Sequence, residues 1–184
     1  ILANESDLFI FSDGAKKSVD IDSVNEVRNY LKTIKGFKSV KVFESNKNNG
    51  LSKAIISGVN TIFSQAESII VLEDDLITSP YFLSFMNQAL TLYKDDEKVV
   101  CINAYMYPLG AEMPESFFIR GADCQGWATW KRGWQTFNPN GKLLLNELKK
   151  RKLVRDFNYD NSYAFSRMLS HQSKGLVDSW AIRW

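Results

Sequence analysis

The sequence predicts an α/β fold in which a mainly parallel sheet is flanked by helices, and three observations carry that reading. Leu8–Phe11 and Ile69–Leu72 are continuous apolar runs of the kind that form strands buried on both faces, which belong to parallel sheets covered by helices. The segments between such runs carry apolar residues at spacings of three and four. Each run passes at its carboxyl end into polar residues, Ser12–Gly14 in one case and Glu73–Asp75 in the other. Ligands bind at that edge of an open α/β sheet.

In chain order, the strand at Leu8–Phe11 ends in a polar turn. Ser23 with Glu26 forms a capping box for a helix whose apolar face is Val24, Val27, Leu31 and Ile34, with Gly36 as the stop. Val40, Val42 and Phe43 predict a second strand, followed by the loop Asn46–Gly50 (NKNNG), whose residues tolerate unusual backbone angles. A helix with Leu51, Ile55, Gly58, Val59, Ile62 and Phe63 on one face leads to the strand at Ile69. Ser79 and Pro80 suit an N-cap and first turn, and Phe82, Met86, Ala89, Leu90 and Tyr93 form the inner face of the next helix. Val99–Ala104 is a further strand. Past it lie a Tyr- and Pro-containing loop, a short candidate strand at Phe117–Ile119, the tryptophan-rich DCQGWATWKRGW, and helices over Gly141–Arg155 and Asp160–Ser173. One domain spans 1–184, with a nucleotide-binding half over 1–104 and an acceptor-side half over 105–184.

The 184 residues are 45% hydrophobic and 13% aromatic, which argues for a packed core. Lys and Arg number 23 against 21 Asp and Glu, a balance that gives no case for a nucleic-acid partner. The local cluster KKRKLVR (Lys149–Arg155) reads as a solvated helix face or as a contact for a phosphate-rich surface. The two cysteines, Cys101 and Cys124, lack metal-ligand spacing and fit a reducing compartment. No apolar run is long enough to cross a bilayer; the cysteine usage points to the cytoplasm as the expected location, extending to the inner face of the membrane through peripheral association.

Glu73, Asp74 and Asp75 carry the sharpest chemistry. Three carboxylates at the end of a buried strand repel one another and lose solvation unless a cation relieves them. An all-oxygen set suits Mg²⁺ or Mn²⁺. The other reading is a solvated loop between strand and helix.

Taken together, DLFIFSDG, NKNNGLSKAIISGV, IIVLEDDLITSPYF, GWATWKRGW and VDSWAIRW resemble the sugar-nucleotide glycosyltransferases of the GT-A fold. The likeness is to the family 2-like bacterial enzymes and the N-acetylglucosaminyltransferase I group, and it runs through nearly all of the chain. It implies a Rossmann-like nucleotide-diphospho-sugar transferase domain that moves a hexose or N-acetylhexosamine from a nucleoside diphosphate sugar to a hydroxyl of a carbohydrate or glycolipid acceptor, in polysaccharide or glycan synthesis. It implies that Asp75 binds the metal, Mn²⁺ or Mg²⁺, that Asp74 faces the ribose, and that Glu73 lies near the donor sugar or holds the loop.

Asp13 matches the acid that contacts the nucleobase or ribose; it also reads as a turn residue next to Gly14. Asn49, Gly50 and Lys53 match the loop and helix start that line the nucleotide pocket, or an ordinary helix entry. Asp178, followed by Arg183, matches the catalytic base of inverting members, and reads equally as a helix N-cap. Gly126 and Trp127 match the loop that shapes the sugar and acceptor site, with one of Trp127, Trp130 and Trp134 expected to touch substrate. His171, the only histidine, is expected in an exposed polar role. The resemblance further implies a strand and helix ahead of Ile1 and chain past Trp184. The first strand of the fold is therefore expected to be missing, and the piece to have lost part of its donor pocket and activity. A nucleotidyltransferase of related fold and a non-catalytic carbohydrate-binding domain are the alternative readings.

Overall fold

The computed structural model describes residues 2–108, 110 and 112–177. The chain divides into two compact units, one running through Ser64 and the other starting at Gln65. Both are mixed α/β.

The first unit contains β1 (Asp7–Ser12), α1 (Ile21–Leu31), β2 (Ser39–Glu44) and α2 (Leu51–Ile62). β1 and β2 pair in parallel, with Leu8 opposite Val40, Ile10 opposite Val42 and Phe11 opposite Phe43. Parallel neighbours need a crossover, and α1 supplies it. That helix starts ahead of the predicted Ser23 because a 3-10 turn, Ser18–Asp20, winds into it. The reach-back bond expected of Glu26 is made by Asp20, whose carboxylate accepts the Lys17 N–H at 3.0 Å. α2 buries Gly58, Val59 and Ile62, on the face that its apolar spacing predicts.

The second unit holds β3 (Ser68–Val71), α3 (Phe82–Leu92), β4 (Cys101–Asn103), β5 (Trp127–Trp130), α4 (Lys131–Trp134), α5 (Gly141–Lys150), α6 (Val154–Phe157) and α7 (Phe165–Ser173). Its sheet has the order β3-β5-β4, and β5 runs antiparallel to both neighbours. This corrects the expectation of one mainly parallel sheet: the described strands form a two-stranded parallel sheet and a three-stranded antiparallel one. The cause is the WATW segment. All four of its residues are buried, and it is the central strand of its sheet.

The core of this unit comprises Phe82, Met86 and Leu90 from α3, Val99, Ile102, Ala128 and Trp130. Trp130 donates its indole N–H to the Leu90 carbonyl at 3.1 Å, and the Thr129 hydroxyl donates to the Val100 carbonyl at 2.6 Å. Arg132 lies over the Trp130 ring at 4.3 Å. It donates to the carbonyls of Tyr93 (2.8 Å), Lys94 (2.9 Å) and Val99 (2.8 Å), so a fixed fork of charge ties the turn after α3 to the segment that leads into β4.

Elsewhere the predicted elements shorten. The helix expected over Gly141–Arg155 breaks after Lys150, with Lys152 at φ 58°. The last helix begins at Phe165 rather than Asp160, because Tyr159, Asp160 and Asn161 all adopt positive φ. Phe117–Ile119 forms no strand and its side chains are exposed. α3 begins at Phe82, after a turn in which the Ser79 hydroxyl accepts the Tyr81 N–H at 3.1 Å. Cys101 and Cys124 are not joined in a disulfide. Burial, and then the nearby charge of Asp123, push the Cys101 thiol up to about 11. Among the described residues no helix is long and apolar enough to cross a membrane.

Replacing Arg132 by Met keeps the apolar stem and removes the three carbonyl contacts. Equilibrium urea unfolding should show a loss of about 2–3 kcal/mol, the scale of hydrogen bonds from a charged donor.

Candidate functional site

The carboxyl ends of β1 and β2 lie side by side, and the loops that leave them are held to each other by one carboxylate. Asp13 Oδ1 accepts the N–H of Gly14 at 2.9 Å, the N–H of Asn49 at 3.0 Å and the Asn49 amide Nδ2 at 3.1 Å. Its Oδ2 accepts the N–H of Asn49 at 2.9 Å and of Gly50 at 3.0 Å. Partial burial pushes the Asp13 carboxyl up, but the backbone bonds from Asn49, Gly14 and Gly50 and the Asn49 amide outweigh it, and the group sits below the ordinary carboxylate value.

Two glycines make this clamp sterically possible. Gly14 is buried, and a Cβ there would lie 2.5 Å from the Lys47 carbonyl carbon, so nothing larger allows the loops to touch. Gly50, the residue before α2, has φ 81°, where a side chain is strained. Asn48 Nδ2 donates to the Gly14 carbonyl at 2.9 Å, and Asn49 Nδ2 to the Ser45 hydroxyl at 2.8 Å. The NKNNG loop is thus fixed to the end of β1 at several points.

Arg28 braces the same edge from α1. Its guanidinium donates to the Ser45 carbonyl at 2.7 Å, the Asp13 carbonyl at 3.2 Å and the Ser12 hydroxyl at 3.2 Å, with Glu44 at 3.7 Å. Sequence reasoning did not single it out. The available signal was its position between Val24 and Leu31, which puts a cation on the apolar face of the helix.

Beside the clamp is a cavity of about 140 Å³ lined by Phe11, Ser12, Asp13, Phe43, Asn49 and Ser57, among others. The Phe11 and Phe43 rings stack at 4.7 Å and 5°. The site therefore combines aromatic surface, hydroxyls, a carboxylate and the start of a twelve-residue helix, whose first N–H groups have no partner within the helix. Lys53 lies exposed on the first turn of that helix.

In the second unit, Glu73, Asp74 and Asp75 follow β3 after one residue, Leu72. Glu73 is half-buried, while Asp74 and Asp75 are exposed in a turn in which the Leu76 N–H donates to the Glu73 carbonyl at 3.4 Å. Among the described residues no three His, Cys, Asp or Glu side chains converge on a metal-sized site. Exposure keeps Asp74 and Asp75 solvated, so the loss of solvation expected to require a cation is absent at both; their oxygens are of the type that a Mg²⁺-like ion would take.

Gly126 has φ 71°, and a Cβ there would meet the Phe82 ring at 3.3 Å. Trp127 is fully buried and stacks on Trp134 at 5.9 Å. Trp130 and Trp134 are also in the core. No indole of this segment offers a face to a sugar ring in this structure: a tryptophan strand at the centre of a sheet is packing material. His171 is exposed on α7. Asp178 and Arg183 lie outside the described residues. No protein-family model matches the chain, and no solved structure matches it.

Asp13→Asn should cost about 2 kcal/mol in urea unfolding at neutral pH, because it removes the charge that several N–H groups face. The folded carboxyl titrates below its unfolded value of 3.8, so its stabilisation is complete above that pH. The advantage of the wild type over Asp13→Asn should shrink as pH falls below 3.8. Gly14→Ala should destabilise by roughly 1–3 kcal/mol, since the contact it creates is with backbone; thermal melting reads it directly.

Proposed function

We propose that the protein is a metal-dependent glycosyltransferase, taking a sugar from a nucleoside diphosphate sugar to a hydroxyl acceptor with inversion. The observation that carries the proposal is the arrangement at the ends of β1 and β2: Asp13, Asn49 and Gly50 locked together at the start of α2, beside a cavity with aromatic and polar walls. The order of sequence blocks that resembles GT-A enzymes supports the same reading.

In this mechanism the nucleoside end of the donor takes the cavity, with Ser12, Asn49 and Ser57 as polar partners and the phenylalanine rings as an apolar wall. The helix start and Lys53 favour the diphosphate. In the second unit Asp75 would hold the divalent cation, and that cation would supply charge neutralisation to a diphosphate leaving group. The Asp178 carboxylate accepts the proton of the acceptor hydroxyl as that oxygen bonds to the anomeric carbon. The bond from that carbon to the diphosphate breaks, and the electron pair leaves with the phosphate. Trp127 acts in this scheme by fixing the sheet and not by touching sugar.

Isothermal titration of UDP and GDP, each with and without Mn²⁺, tests the proposal. One nucleotide should bind, only with the metal, and Asp75→Ala should abolish that binding while leaving the thermal midpoint unchanged, since the side chain is exposed. A folded wild-type protein that binds neither nucleotide overturns the reading.

A further inference from the structure

The charge of the chain is unevenly spread. Residues 141–177, which contain α5, α6 and α7, carry eight Lys and Arg against three Asp and Glu, while the rest of the sequence carries 15 against 18. A chain that is nearly neutral in total therefore has one strongly basic helical segment.

Two of those cations are neutralised locally: Arg151 pairs with Glu147 at 3.1 Å and Arg155 with Asp160 at 2.8 Å. Lys142, Lys149, Lys150, Lys152, Arg167 and Lys174 are exposed and make no ion pair among the described residues. Lys149, Lys150 and Lys152 crowd the end of α5 and its turn. A helix carboxyl end attracts basic side chains, but that attraction is worth a fraction of a kcal/mol and does not account for consecutive unpaired cations. Leu153 follows them directly and is exposed, as are Leu143, Met168, Leu176 and Val177 in the same segment.

We propose that the α5–α7 segment docks on an anionic lipid bilayer, with Lys149, Lys150 and Lys152 at the headgroups and Leu153 entering the interface. The cations alone suit any polyanion. The exposed leucine beside them selects a surface that rewards both charge and apolar burial, which a bilayer does and a nucleic-acid backbone does not. The inference does not rest on glycosyl transfer.

Co-sedimentation with vesicles of phosphatidylcholine alone, and of an equimolar mixture of phosphatidylcholine and phosphatidylglycerol, tests it. The protein should pellet with the anionic vesicles only, and less so as salt rises. The triple change Lys149→Glu, Lys150→Glu and Lys152→Glu should weaken that binding roughly a hundredfold, at about a factor of five per lysine. Leu153→Asn should weaken it further at high salt. These are exposed positions, so unchanged far-UV circular dichroism confirms that the variants fold. Equal binding to both vesicle types, binding to neither, or tighter binding to a single-stranded RNA oligonucleotide than to anionic vesicles would overturn the proposal.

Discussion

The first unit depends on one carboxylate placed where two backbone segments must be brought together. Asp13 lies just past the end of β1, and the N–H groups that it accepts belong to the loop after β2. An isolated parallel pair has little to hold its loops in register. Here a charge takes the role that a neighbouring strand or a larger core has elsewhere, and Arg28 repeats it with opposite sign by binding the carbonyls of Asp13 and Ser45. The anion collects N–H groups and the cation collects carbonyls, so each polar group is matched to its complement. The same contacts that stabilise the loops fix the start of α2.

The second unit solves a similar problem with aromatic rings. Trp127 and Trp130 flank Ala128 and Thr129 in the middle strand, and Arg132 spans from the Trp130 face to carbonyls at and beyond the end of α3. Large flat side chains with a polar handle fill the space between sheet and helix, and their neighbours use what hydrogen bonds remain. The acidic turn after β3 stands on this scaffold: β3 is registered residue by residue against β5, so the packing of WATW sets where Glu73–Asp75 leaves the sheet.

The alternation of strands and helices up to Asn103 was legible because aliphatic runs and helical spacing are local signals. The buried face of α2 and the inner face of α3 could be read from single apolar positions. The antiparallel β5 could not, because tryptophan, alanine and threonine in a row match neither alternation nor an aliphatic run, and their strand state comes from pairing with two distant segments. Asp13, Asn49 and Gly50 were picked out from sequence, but as ligand contacts; what the structure adds is that they bind one another. Arg28 was passed over because a cation inside a helix reads as solvated until the carbonyls it meets are known. One of Trp127, Trp130 and Trp134 was expected to touch substrate; all three are buried.

The central claim is that the edge formed by Asp13, Asn49 and Gly50 is the nucleotide site. An amide-resolved NMR titration of the ¹⁵N-labelled protein with a nucleoside diphosphate and Mg²⁺ tests it most directly. The account predicts saturable shifts at the amides of Gly14, Asn49, Gly50 and Leu51, with the α5–α7 amides unmoved. Saturable shifts confined to other parts of the chain would contradict it.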